Sequence, residues 1–364
     1  MGVRMDSKST WGISSEYLKV LQNAAVRYLG SNTPSMALQR GAQNLLETYS
    51  PEALRRRAEI RSSLGFAPEG YTISVTNACN LHCAYCYYGA GKLAENEIVN
   101  IDMNKLGVVL REMKEKFGIR FVTLTGGEPT LRLREIAAQW PDITFYTYTN
   151  GKLLTREFCQ DLEKLGNVVI ALTIIGTEPT HESIRPGNYV HVMEAVANLQ
   201  QSSLLWGFSL TESKVNFKEI IEGDLLDSLL RLNPFFFRMI PFMPVGREQT
   251  DWALTPDEYD RISAMIQSRK EKGVLIHDYI NDPSLGIGCM AGGIRSFFIN
   301  ERFELSPCVF MDTLTPPLEF RPGSSNLLSV LQEHPYFKRA RELTTRFPRC
   351  IILENARWRE EIIH

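Results

Sequence analysis

From Gly70 onward, short runs rich in β-branched and aromatic residues alternate with stretches of helical periodicity. The runs predict strands near 71–76, 120–125, 143–148, 168–174, 204–210 and 235–240, and helical patterns fill gaps such as 102–117 and 155–165. This alternation predicts a parallel sheet with right-handed crossovers. Six β/α units suit an open barrel better than a closed eight-stranded one. The expected fold is therefore α/β, a partial (β/α)6 TIM-like barrel occupying 69–245.

The flanks read differently. Residues 1–68 contain no convincing strand. Leu18, Leu21, Ala25 and Tyr28 recur at helical spacing, and Gly30, Ser31, Asn32 and Pro34 then break the pattern. A second helix fits 35–48. "SPEALRRRAEIRSSLG" predicts a third, with Ser50 as N-cap, Pro51 in the first turn and Gly65 as the stop. This helical N-terminal extension reads as a packing element, with a substrate lid or a docking surface as the alternatives. After "PFMPVGRE" (241–248), Thr255 is placed to cap a helix over 256–271. A Gly-rich, cysteine-bearing region (286–310) and a mostly helical tail follow, so 246–364 is expected to form a small unit of its own.

Composition narrows the function classes. Apolar residues make up 44% of 364, enough for a sizeable core, and the formal charge is −2. That balance gives no general reason to expect nucleic acid as a partner. No apolar run reaches the length of a transmembrane segment. The start lacks the apolar core of a signal peptide. Asp6 stands where a myristoylation signal wants Ser or Thr. These readings predict a cytoplasmic protein, where clustered cysteines favour metal binding or catalysis over disulfides.

Three of the seven cysteines, Cys79, Cys83 and Cys86, fall in "NACNLHCAYCYYGAG", directly after the first expected strand. A zinc site wants four ligands, usually as two pairs. A redox CxxC would need neither the third cysteine nor this context. Three thiolates on one loop can instead hold three irons of a four-iron, four-sulfur cube, leaving the fourth iron open to a chelating ligand. The position places them at the carboxyl end of the barrel, where active-site loops gather.

With an aromatic residue, Tyr85, immediately before the last cysteine, the triplet resembles the hallmark of the radical S-adenosylmethionine (SAM) superfamily. The resemblance implies that the open iron binds the amino and carboxylate groups of SAM. An electron from the cluster then yields a 5′-deoxyadenosyl radical that takes hydrogen from substrate. It places Tyr85 near the adenine. "LTGGEPTL" (124–131) resembles the family's Gly-Gly-Glu-Pro motif. Gly126 and Gly127 would allow close backbone approach, and Glu128, ahead of Pro129, would accept from the methionyl ammonium. "YTNG" brings Asn150 to the end of the third strand. "ALTIIGTEPTHESIRPG" (171–187) resembles the "SxDG…H…IRG" segment, with Thr173 for the usual Ser and Ile175 for Asp. Arg185 there can pair with the SAM carboxylate in a fork that Lys cannot supply. Ser209 or Thr211, ending the fifth strand, would reach the ribose hydroxyls.

Of the remaining cysteines, Cys159 reads as a buried apolar residue within a helix. The stretch from Gly288 to Cys308 resembles the start of SPASM and twitch extensions, which carry auxiliary iron–sulfur clusters. Cys289, Ala291, Gly292, Pro307 and Cys308 match, and Phe303 stands where a turn Gly is usual. With Cys350 as third ligand, one second 4Fe-4S cluster is expected in a twitch/SPASM-like C-terminal domain. His277, Asp312, a backbone group or substrate would take its last position. The resemblance implies peptide, sugar or cofactor-precursor substrates, and an electron donor such as flavodoxin or ferredoxin. The helical N-terminus, with no strand-rich winged-helix leader-peptide domain, tilts the expectation slightly toward a small-molecule or lipid-like substrate. A non-catalytic iron–sulfur electron carrier is the alternative from another class; Gly-Gly-Glu-Pro and Arg185 argue against it, because electron transfer needs neither. A redox-sensing regulator would need a DNA-binding pattern, which the chain lacks.

Overall fold

The computed structural model describes residues 40, 43–44, 46–247, 250–278, 294–312, 318–319, 321–323, 327–344, 346, 350–355, 357 and 360–361. Six β/α units run in the expected order. They are β1 (Thr72–Ser74), α2 (Met103–Phe117), β2 (Phe121–Thr125), α3 (Thr130–Gln139), β3 (Thr144–Thr149), α4 (Arg156–Leu165), β4 (Val168–Ile174), α5 (Glu178–Ile184), α6 (Tyr189–Gln200), β5 (Leu205–Glu212), α7 (Phe217–Ile221), α8 (Leu225–Leu230) and β6 (Phe237–Pro241). Helix α1 (Pro51–Leu64) precedes them, and α9 (Pro256–Glu271) and β7 (Ile276–Asp278) follow. Strands β1 to β7 pair in sequence order, all parallel, in an unclosed sheet. Among the described residues no helix is long and apolar enough to cross a membrane.

The helices start and stop where side chains satisfy their free backbone groups. Ser50 accepts from the Ala53 N–H, Asp102 from Lys105 and Thr155 from Phe158. Thr255 and Glu258 form a reciprocal capping box on α9. Gly65, Gly118 and Gly166 close α1, α2 and α4 in the left-handed conformation.

Alternate strand residues face opposite sides. Ile73, Leu124, Phe145, Ile170, Leu172, Phe208 and Met239 face the helices and build the main core. Val169, Ala171, Phe236 and Leu275, with Tyr146 and Tyr148, form a smaller cluster on the other face, the barrel interior. All seven residues of β4 are buried, as a strand covered on both faces requires.

Both sheet edges extend beyond the six expected strands. β7 adds to β6, and β8 (Phe298–Ile299) adds parallel to β1. β8 turns through Phe303 into antiparallel β9 (Glu304–Ser306), which pairs with β10 (Leu318–Glu319). The hairpin of the cysteine-bearing region thus continues the barrel sheet. A two-residue strand such as β8 carries too little alternation to be read from sequence. Phe303, where a turn Gly was noted as missing, takes φ 63° with its ring buried. Helices α10 (Leu327–Glu333), α11 (Pro335–Thr344) and α12 (Ile351–Glu354) complete the described tail.

Of the N-terminal extension, the helical repeat of Leu18, Leu21, Ala25 and Tyr28 lies outside the described residues. The described part sits under the barrel. Arg40 donates to the Leu165 carbonyl, Asn44 to the Thr144 hydroxyl, and the Arg120 N–H donates to Thr48. Buried Arg57 bonds the carbonyls of Phe117 and Thr48. These are amino ends of strands or carboxyl ends of helices, so this segment packs opposite the cysteine loop.

Candidate active site at the carboxyl ends of the strands

The segments after β1 to β4 meet through hydrogen bonds, and Thr173, Ser209 and Thr211 lie near the carboxyl ends of β4 and β5. The cysteine loop leaves β1. Cys79, Cys83 and Cys86 are half-buried free thiols. Their loop is pinned where the Ala84 N–H donates to the Ile184 carbonyl, next to Arg185. Burial pushes the Cys79 thiol up to about 12, and charge on Glu128, Cys83 and Cys86 adds to this against one backbone N–H from Leu81. Among the described residues no three His, Cys, Asp or Glu side chains converge on a point for one metal ion.

The Gly-Gly-Glu-Pro turn after β2 backs directly onto this loop. The Gly127 N–H donates to the Thr76 carbonyl and the Glu128 N–H to the Ala78 carbonyl, at 2.7 and 2.8 Å. A Cβ on Gly127 would lie 2.0 Å from the Ala78 oxygen, and Gly126 takes φ +127°. Close approach, not turn geometry alone, demands the pair. Pro129 is the N-cap of α3. Glu128 is engaged within the protein: it accepts from the Thr130 N–H and hydroxyl on one oxygen and from the Asn150 N–H on the other. Its first role here is to lock the turn to the end of β3.

A chain of amides continues the lock. Asn150 donates to Asn80 inside the cysteine loop at 2.7 Å, and Asn188 donates to the Asn150 carbonyl. His181 Nδ1 accepts from the Ile175 N–H, so Nε2 carries the proton toward Asn188. Burial first, then the Arg185 charge, pushes the pKa of His181 down to about 4, leaving a neutral ring. Sequence reasoning did not assign Asn80, His181 or Asn188, although the first two lie within the quoted motifs. Ile175, in place of the family's Asp, is buried. The carboxylate beside it comes from Glu219, which accepts from Thr177 and Thr180.

Arg185 is the C-cap of α5. Its Nη2 donates to the Tyr85 hydroxyl at 2.8 Å, and its guanidinium lies 5.5 Å from the Tyr85 ring centroid. Its Nε and Nη1 are buried and have no partner among the described residues. Burial alone would lower its pKa, but Cys83 and Tyr85 outweigh it and hold the guanidinium firmly charged. Burial pushes the Tyr85 phenol up to about 12, against Arg185 and a hydrogen bond with Thr211. Thr173 and Ser209 stand in register on β4 and β5, and Arg238 continues that row on β6. Tyr85, bonded to both Arg185 and Thr211, joins the cysteine loop to this end of β5.

The residues present suit a group that brings positive charge to crowded thiols and a carboxylate to Arg185. Cys79 disfavours its own anion, which metal coordination reverses. Two buried guanidinium N–H groups without an acceptor cost free energy until an anion arrives.

Residues 73–222 match the family model described as Radical SAM superfamily. That segment carries the cysteine triplet, the Gly-Gly-Glu-Pro turn and Arg185, and it is similar to this superfamily. It is 24% identical over 239 residues to the sporulation killing factor maturation protein SkfB of Bacillus subtilis, across 64% of this chain and 57% of SkfB. It is 25% identical over 232 residues to the GTP 3′,8-cyclase of Listeria monocytogenes, across 59% of this chain and 65% of the cyclase. Both matches thus span less than two thirds of the relative. The fold is similar to Streptococcus suis SuiB bound to its precursor peptide SuiA, with TM-score 0.64, 14% identity and coverage of 79% and 70% of the two chains. The radical SAM match stops at residue 222, before β6 and the second cysteine set.

That second set is described in part. Cys289 lies outside the described residues. Cys308 and Cys350 are buried in one small apolar cluster with Met243, Val245 and Met311, and Tyr87 of the cysteine loop packs against it. Tyr87 meets Phe310 edge-on at 5.0 Å. Asp312 accepts from Asn300, and its pKa is pushed up to about 7 by burial, with Glu301 and Glu304 adding to it. His277 lies on β7 in register with Arg238. Cys159 is buried in the main core.

Proposed function

We propose that the protein reductively cleaves SAM at a 4Fe-4S cluster on Cys79, Cys83 and Cys86 and uses the resulting radical to modify a peptide. The observation that carries this reading is Arg185, a buried cation one hydrogen bond from Tyr85, with two guanidinium nitrogens that have no acceptor among the described residues. A carboxylate can accept from either of them with Nη2 as the second prong, the forked geometry that arginine favours. When bound, the reduced cluster supplies the electron that splits SAM into methionine and a 5′-deoxyadenosyl radical. The chain's own residues do the rest. Arg185 orients the carboxylate, Gly126 and Gly127 let backbone approach the ammonium, and Thr173, Ser209 and Thr211 offer hydroxyls to the ribose. Glu128, Asn150, Asn188 and His181 hold these loops in register. An electron carrier would need none of this polar arrangement.

The likeness to a maturation protein and to a peptide-bound fold neighbour supports a peptide substrate over the small molecule that the N-terminus suggests. The cyclase likeness supports the small-molecule alternative. A second cluster held by Cys289, Cys308 and Cys350 belongs to the same proposal, supported by the shared burial of the last two. Electrons would come from a flavodoxin or ferredoxin. The test is anaerobic reconstitution followed by assay of 5′-deoxyadenosine. The wild type should form it without substrate, and the variant with Cys79, Cys83 and Cys86 all changed to Ala should not. Product from that variant would sink the proposal.

A further inference from the structure

We infer that Arg247 is a positioning residue that moulds the cysteine loop for its cluster. The inference deepens the radical SAM reading and rests on it. A loop that must present three thiolates has to be ordered, and ordering costs conformational entropy at every residue. The loop's own bonds are few and long: the Cys86 N–H donates to the Cys83 carbonyl and the Gly89 N–H to the Cys86 carbonyl, each at 3.3 Å.

Arg247 supplies the missing order from outside the loop. Its Nη1 donates to the Cys83 carbonyl at 2.6 Å. Its Nη2 reaches the Ala90 carbonyl at 2.6 Å, His82 Nδ1 at 2.7 Å and the Gly89 carbonyl at 3.1 Å. Its backbone N–H donates to the Cys86 carbonyl at 3.3 Å. One residue thus ties together positions on both sides of Cys83 and Cys86. It bonds carbonyls and an imidazole and leaves the sulfurs free to ligate iron. Only a planar guanidinium fork spans so many acceptors; an ammonium is a point charge.

The neighbouring sequence delivers that side chain. Gly246 takes φ +79°, and a Cβ there would lie 2.4 Å from the Tyr87 carbonyl oxygen, so the turn lies flat against the loop. Met243 and Val245 are buried in the cluster that Tyr87 packs against, which anchors the segment.

The test uses the full chain as wild type, Arg247→Met and Arg247→Lys. Two quantities are read besides activity: amide hydrogen exchange over 82–90 in the cluster-free protein, and iron release to a chelator together with the reduced-cluster electron paramagnetic resonance spectrum, with and without SAM. In Arg247→Met, loop exchange and iron release should each rise roughly tenfold or more, since each charged hydrogen bond is worth about one factor of ten. Exchange in α2 and β3 should not change. Arg247→Lys keeps the charge but reaches fewer acceptors, so it should recover only a minor part. Wild-type loop exchange in Arg247→Met, or full recovery in Arg247→Lys, would overturn the inference. Should Arg247→Met not fold, Arg247→Lys decides by the same readings. A wild type whose spectrum ignores SAM would refute the radical SAM reading instead, while the cluster-free exchange still judges Arg247.

Discussion

Replacing Arg185 should affect ligand affinity and apoprotein stability in different ways, and both effects follow from its surroundings. Among the described residues, Nε and Nη1 are buried without a partner, while Nη2 bonds Tyr85. Each buried unsatisfied donor costs about 1–3 kcal/mol. Arg185→Met removes that cost and gives up one hydrogen bond and a cation–π contact, together about 1–3 kcal/mol. The cluster-free variant should therefore melt at or above the wild-type temperature. SAM binding should respond the other way. Two charged hydrogen bonds to a carboxylate contribute about 1.5–3 kcal/mol each, so Arg185→Lys, retaining one, should weaken SAM by roughly 10- to 150-fold. Arg185→Met should weaken it further. Anaerobic calorimetric titration of SAM into reconstituted protein, with iron counted in the same samples, reads the affinity. Thermal unfolding of the cluster-free forms reads the stability. An unchanged SAM affinity in Arg185→Lys at full iron content would remove Arg185 from the site. A melting temperature several degrees lower in Arg185→Met would show that its N–H groups are not a standing cost.

Three further outcomes are expected. His181 has a folded pKa of about 4 against an ordinary 6.5, so the unfolded chain takes its proton first; stability should be full above pH 6.5 and fall by about 3 kcal/mol between there and pH 4. His181→Gln should flatten that part of the urea-midpoint profile, and an equally steep profile would assign the acid loss elsewhere. Gly127→Ala drives a methyl against the Ala78 carbonyl and should cost roughly 1–3 kcal/mol, with loss of cluster iron after reconstitution; normal iron and stability would show that the turn can retreat. Iron should number about eight per wild-type chain, about four when Cys79, Cys83 and Cys86 are Ala, and about four when Cys289 and Cys308 are Ala; four in the wild type with none in the first variant would make the later cysteines structural.

The sequence by itself determined the barrel and the motifs from which the chemistry is proposed. Helix ends at Ser50, Asp102, Thr155 and Thr255 are local events, decided by side chains a few residues from the groups they cap. The six main strands are long enough to show their pattern. Three cysteines within one loop need no distant partner to be recognised, and Gly126, Gly127 and Arg185 stand in contiguous motifs. Tertiary structure decided what depends on residues far apart in the chain. Nothing local marks β8 as the partner of β1, because two residues carry no period. That Glu128 accepts from Thr130 and the Asn150 N–H shows only once the fold brings them to its oxygens. Its motif marks Arg185, but only burial shows that two of its nitrogens lack acceptors among the described residues. Arg247 lies 161 residues beyond Cys86 in sequence, and only the closing of β6 against the opening of the barrel sets it on the cysteine loop. Hydrogen bonds and desolvation act over a few ångströms, so such roles arise from proximity, which the fold supplies and the linear order conceals.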